Sequence, residues 1–142
     1  MTDPAMSDRT RYAVESDSMV RLFGIEVEET SERYTRVSAT VREGFLQLHD
    51  LAHGAFIFAL LDVAFALTVN TKLDAVAVQW SISQFRSAKL GDKVTAECRL
   101  LHAGRRLMVV ELMALGAEGK VLSKGQATAL PLGEQAPAQA RC

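Results

Sequence analysis

Cysteine is scarce in this chain of 142 residues: Cys98 lies in a strand-like run and Cys142 ends a polar tail. Two cysteines so placed build no disulfide framework. A domain this long needs none, because it buries roughly 68–70% of the surface its unfolded chain exposes. An excess of one charge is missing too. Sixteen Lys and Arg stand against 17 Asp and Glu, a net charge of −1. Nucleic acid or an anionic membrane as the main partner would favour a clear basic excess. The longest apolar stretch, Ala55–Val69, has 15 residues with Asp62 in its middle, whereas a membrane span needs about 20. Met1–Thr10 is polar, contains a Pro and lacks the apolar region of a signal peptide. The expectation is a cytoplasmic protein with neither nucleic acid nor membrane as partner.

Some catalytic motifs are missing as well. No G-x-S-x-G occurs, Cys98 has no His near it in sequence, and no Gly-rich phosphate loop is present. His49-Asp50-Leu51-Ala52-His53 imitates the zinc-protease H-E-x-x-H. Its Asp is a methylene shorter than Glu, and the one remaining His, His102, is distant, so no third ligand follows. No metal is expected.

What is present fits a soluble globular chain, with 49% hydrophobic and 23% charged residues. Residues 1–10 and 133–142 are rich in small and polar residues and read as disordered tails, which leaves one domain over 11–132. Asp17–Gly24 predicts a short helix with Ser18 as its cap and Gly24 as its terminator. Strand patterns follow at Ile25–Glu29 and Tyr34–Val41, then a loop at 42–53 and a helix over 54–69. Period-two alternation then marks Ala75–Phe85, Val94–Leu101, Arg106–Leu115 and Val121–Leu130. Short turns join the last three strands, which predicts an antiparallel meander. The fold class is α+β: one long helix with five or six strands.

The long helix reads AFIFALLDVAFALTV and has no polar stripe. A helix apolar all round is buried all round. One sheet covers one side, so the other must meet the rest of a wrapped sheet or a second subunit. Asp62 is the anomaly within it, because a carboxylate there loses hydration. It is either a structural residue, capped or paired with an Arg, or a base or nucleophile in a pocket. At the helix start, Gly54 lets a ligand approach the backbone, and the free N–H groups there suit a developing oxyanion. His53 and Asp62 are nine residues apart, roughly 13 Å along a helix. One copy cannot bring both to one reacting atom, so a site that uses both needs an antiparallel partner helix in a two-fold dimer.

His53-Gly54-Ala55, then Leu60-Leu61-Asp62, then Ala64-Phe65-Ala66 resembles the H-G-G-x(6)-D signature of hotdog-fold acyl-CoA thioesterases, specifically their PaaI-like branch. Phe85-Arg86-Ser87-Ala88-Lys89-Leu90-Gly91-Asp92 is similar to that family's F-x-R-P-A-x-x-G-D segment, and Gly104-Arg105-Arg106 to its G-R-x turn. The resemblance spans about residues 20 to 130. It implies a helix wrapped by a curved antiparallel sheet, homodimers that pair into tetramers, and acyl-CoA hydrolysis without metal or other cofactor. Asp62 would then be nucleophile or general base, the Gly54 N–H would polarise the thioester carbonyl across the dimer interface, and His53 would shape the helix start.

The sequence departs from that pattern in three places. Gln47 stands where the family usually has Asn, Ala55 replaces the second Gly, and Ala77 falls where some members carry Ser or Thr. Gln79, Ser81 and Ser83 are expected on the face of Ala77, and Ala55, Ala77, Ser81 and Ser83 are candidate substrate-binding residues. Phe56, Phe58 and Leu61 are candidate acyl-lining residues, although core packing accounts better for most of them. Lys89, Lys93, Arg105 and Arg106 are candidates for the CoA phosphates. Two other functions stay open: a non-catalytic acyl-CoA-binding protein of this fold, and an acyl-chain dehydratase.

Overall fold

The computed structural model describes residues 6–133. Two short helices, α1 (Asp8–Ser16) and α2 (Ser18–Phe23), lead into the hairpin of β1 (Glu26–Thr30) and β2 (Tyr34–Thr40). The long helix α3 (Gly54–Val69) follows a loop with one 3-10 turn, Glu43–Phe45. After it come β3 (Asp74–Gln84), β4 (Lys93–Ala103), β5 (Met108–Leu115) and β6 (Val121–Gly133). All strands pair antiparallel in one sheet of order β1-β2-β4-β5-β6-β3, with β4, β5 and β6 as the expected meander.

Helix α1 corrects the expected tail boundary, since Asp8–Thr10 already belong to it. Its sequence is polar, and tertiary contacts hold it in place. Ser7 caps it, Arg9 Nε donates to the Asn70 carbonyl at 2.8 Å, and Arg9 Nη2 pairs with Asp74. At the other end Gly133 still belongs to β6, and residues 1–5 and 134–142 of the two expected tails lie outside the described residues. Helix α2 is capped by Asp17 rather than Ser18: Asp17 Oδ1 accepts the Met19 N–H at 2.8 Å. Gly24 ends it with φ +64°, a left-handed conformation that suits glycine.

The core forms where α3 lies across the inner face of the sheet. Phe56, Ile57, Leu60, Leu61, Val63, Ala64, Phe65, Leu67 and Val69 are buried against Val37, Val94, Ala96, Val110, Leu112 and Ala127. Burying side chains of this size contributes about 1.5–3 kcal/mol each. The rings of Phe23, Phe45 and Phe56 cluster with centroids 5.0 to 5.6 Å apart, which fixes α2 and the 43–45 turn on the N-terminal half of α3.

The helix is not covered all round within one chain. Ala55, Phe58 and Asp62 form an exposed stripe along it. That stripe borders β3, which is an edge of the sheet. On β3 the pairing register shifts between Ala77 and Gln79, which marks a bulge. The bulge breaks the simple alternation expected for this strand. Ala77, Trp80 and Ile82 pack against the core, while Val76 and Val78 are exposed. Gln79, Ser81 and Ser83 are exposed too, so they do not share the face of Ala77 as expected.

Candidate active site

The start of α3 is held by its own N-cap. His53 Nδ1 accepts the Ala55 N–H at 2.9 Å, and the His53 carbonyl accepts from Phe56 and Ile57 at 3.0 and 3.3 Å. Accepting at Nδ1 leaves the neutral ring proton on Nε2. With the His53 N–H donating to Phe45 O, three of the four amides that usually lack partners at a helix start, those of His53, Ala55 and Phe56, are satisfied. No group among the described residues accepts from the fourth, the Gly54 N–H.

Backbone strain does not explain Gly54, because its φ lies outside the left-handed range. Crowding does not explain it either. A methyl group built there would meet Gln84 Oε1 at 3.5 Å and Nε2 at 3.8 Å, ordinary contact distances. Alanine favours a helix by up to about 1 kcal/mol over glycine. A glycine here leaves the backbone open to close approach.

The loop before α3 is stitched on both sides. His53 N–H donates to Phe45 O at 2.8 Å, Ala52 N–H to Ala88 O at 2.9 Å, and Ser87 Oγ to Ala52 O at 2.7 Å. These bonds bring the segment carrying Lys89 beside the helix start. Gln47 sits in the same loop, but its side-chain carbonyl accepts the His49 N–H and so shapes its own turn. Asp50, at φ +60°, completes that turn. Residues 49–53 are consequently not helical, which removes the one-face geometry the H-E-x-x-H likeness requires. Among the described residues no three His, Cys, Asp or Glu side chains gather as a metal site.

Asp62 lies two turns along the exposed stripe. No cation or hydrogen-bond donor among the described residues pairs with it, so a structural ion pair does not account for it. Its carboxylate reaches solvent in the single chain, yet the surrounding apolar atoms strip part of its hydration. Desolvation, and then the negative charge of Asp17 at the α2 cap, hold its pKa above the ordinary Asp value of 3.8. The arrangement gives a carboxylate that accepts a proton more readily than a free one. Cys98, by contrast, is buried, and that burial pushes its thiol up to about 12, so it is no nucleophile.

The other expected residues divide. Ala55 and Phe58 lie on the exposed stripe, and Phe58 packs edge-on against Trp80 with centroids 4.9 Å apart. Leu61, at 1% exposure, is a core residue and not a lining one, because nothing outside the chain can reach it. Ala77 is half-buried against the core. Ser81 and Ser83 point away from the helix. Arg105 lies at the opposite end of the molecule from Lys89. There it lines a cavity of about 450 Å³ with Arg33, Thr68, Val69, Lys72 and Met108, beyond the C-terminal turn of α3. Arg106 occupies the same turn, so the expected phosphate group is not assembled within one chain.

Sequence reading missed two residues, Asp17 and Gln84. Asp17 lies far from Asp62 in sequence and meets it through the packing of α2. Gln84 carried one signal, a polar residue in the inward register of Trp80 and Ile82.

Known proteins give an independent view. The thioesterase superfamily profile matches residues 49–123. A Deinococcus radiodurans protein bearing an esterase name is 37% identical over 116 residues, 81% of this chain and 79% of its own. The Escherichia coli acyl-coenzyme A thioesterase PaaI is 30% identical over 110 residues, 77% of this chain and 79% of its own. The solved E. coli PaaI protein superposes with a TM-score of 0.86 at 26% identity, over 89% of this chain and 93% of that one. A Streptococcus pneumoniae hypothetical thioesterase solved with coenzyme A gives 0.74 at 28% identity, over 79% and 88%.

Proposed function

Because the chain belongs to the thioesterase superfamily, in its PaaI-like branch with the hotdog fold, we propose that it hydrolyses an acyl-CoA thioester to the free acid and CoA. The observation that carries the reading is Asp62: a carboxylate of raised pKa, without a partner among the described residues, on the exposed stripe of α3. A raised pKa suits a general base, which takes a proton from water as the oxygen attacks the thioester carbon. The carbonyl π electrons move onto oxygen, where the Gly54 N–H stabilises them. Collapse of that intermediate breaks the C–S bond, and CoA leaves as a thiol once its sulfur gains a proton. Direct attack by an Asp62 oxygen, through a mixed anhydride that water then cleaves, is the other route the residue permits.

The site needs two chains. Gly54 and Asp62 are eight residues apart, about 12 Å along one helix, so one copy cannot present both to one carbonyl. The exposed stripe of α3 borders the edge strand β3, on which Val76 and Val78 are exposed. Two copies that meet there would continue the sheet through β3 and set their α3 helices antiparallel. The carboxylate of each would then face Gly54 of the partner subunit. Pairs of such dimers and a cytoplasmic setting, suited to the free thiol of Cys98, complete the proposal.

The test is release of free CoA, followed with a thiol reagent over an acyl-CoA panel that includes phenylacetyl-CoA. Turnover supports the reading. Binding without turnover on any substrate would favour an acyl-CoA-binding protein instead, a reading that the engagement of Gln47 with its own loop recommends as the alternative.

A further inference from the structure

We infer that Gln84 is a further catalytic residue, its carboxamide N–H group donating to the thioester carbonyl oxygen beside the Gly54 N–H; this rests on the hydrolysis proposed above. The bulge at Ala77–Gln79 sets the inward register of the rest of β3, so Trp80 and Ile82 pack on the core and Gln84 follows them. At the strand end its carboxamide lies against the start of α3, and a methyl on Gly54 would touch both its oxygen and its nitrogen. Among the described residues that carboxamide has no hydrogen-bond partner, and neither does the Gly54 N–H. The Gly54 backbone and the exposed Gln84 carboxamide thus lie side by side at the helix start, both open to an incoming carbonyl oxygen. Oxyanion sites usually converge two donors on one oxygen.

Ser123 strengthens the case. It is the direct cross-strand partner of Gln84 on β6, and directly opposed residues project to the same face with Cβ atoms about 4.5–5.5 Å apart. Ser123 is fully buried, and its hydroxyl has no partner among the described residues. A buried polar atom left unpaired calls for an explanation. Its hydroxyl suits the role of donor to the Gln84 side-chain oxygen, which would turn the NH₂ end of the amide toward the substrate. Ser123 would then be a positioning residue. Gln47, whose carbonyl is held by the His49 N–H, leaves the second-donor place to Gln84.

The experiment compares wild type with Gln84→Met and Gln84→Glu in steady-state CoA release, with melting temperatures to confirm folding. Gln84→Met keeps the volume and removes the donor. It should lower kcat by about 10- to 100-fold with KM within about threefold, as for a group that acts in the transition state. Gln84→Glu should lose more, because it sets an acceptor against a developing oxyanion. If Gln84 only packs against the helix start, the near-isosteric Glu would be tolerated and both variants would keep wild-type kcat, which overturns the inference and leaves the proposed hydrolysis standing. A wild type without turnover on any thioester overturns the hydrolysis and the Gln84 role with it. Mixed subunits add a second readout: Gln84→Glu should regain activity when mixed with Asp62→Asn and not when mixed with Gly54→Ala, because Gln84 and Gly54 belong to the same half-site.

Discussion

His53 Nδ1 accepts the backbone N–H of Ala55 at 2.9 Å, so the ring that begins α3 is also its cap. The bond passes over Gly54, whose own N–H has no acceptor among the described residues. One residue thus rigidifies the helix start while the next is kept open to a ligand.

Substitutions at the two positions separate those roles. His53→Ala should cost about 1 kcal/mol through loss of the cap, and His53→Ser should restore most of it. Gly54→Ala should leave the melting temperature equal or higher, given the room around it. It should nonetheless lower CoA release by at least about tenfold, since its methyl group crowds the carbonyl site. Thermal melts beside steady-state rates check both.

Asp62 makes a stability claim with a definite sign. Its folded pKa is raised above the unfolded value, so the native state binds the proton more tightly. Below the unfolded pKa the carboxyl is protonated in both states and costs nothing; as pH rises from 3.8 through the raised pKa, native stability falls. Asp62→Asn should therefore be more stable than wild type at neutral pH, with the gain vanishing near pH 3. Urea unfolding across that range measures it.

Asp17 supplies the second cause of that shift. Asn is as good a helix cap as Asp, so Asp17→Asn keeps α2 while it removes the charge. The acid limb of the kcat/KM profile should move to lower pH in this variant. An unmoved limb would mean that the limb reports another group.

Much of the fold was legible in the sequence because the signals there are local. The boundaries of α3 follow from a His-Gly pair before an uninterrupted apolar run, and the meander follows from alternation broken by Gly-containing turns. What escaped was tertiary in origin. Polar α1 is held by Arg9, which reaches Asn70 and Asp74 from more than 60 positions away. The bulge on β3 changes which side chains face the helix, so period-two counting placed Ser81 and Ser83 with Ala77. Of the site, Asp62, His53 and Gly54 carried their own anomalies. Asp17 and Gln84 acquire meaning only once α2 and β3 are packed on the helix.

The β3 edge carries the proposed dimer. Val78 is 57% exposed on that strand. Val78→Lys should leave the monomer fold intact and shift the protein to monomers in analytical ultracentrifugation. CoA release should fall together with the dimer fraction.

The measurement that bears most directly on a shared site is complementation between two inactive chains. Asp62→Asn and Gly54→Ala would be purified separately, unfolded, mixed in equal amounts and refolded together. Random pairing makes half of the dimers mixed, each with one intact site of two, so about one quarter of wild-type activity should return. If Asp62 and Gly54 of the same chain served one carbonyl, every site in the mixture would carry a lesion. Activity would then stay at the level of the separate variants, and the two-chain site would be contradicted.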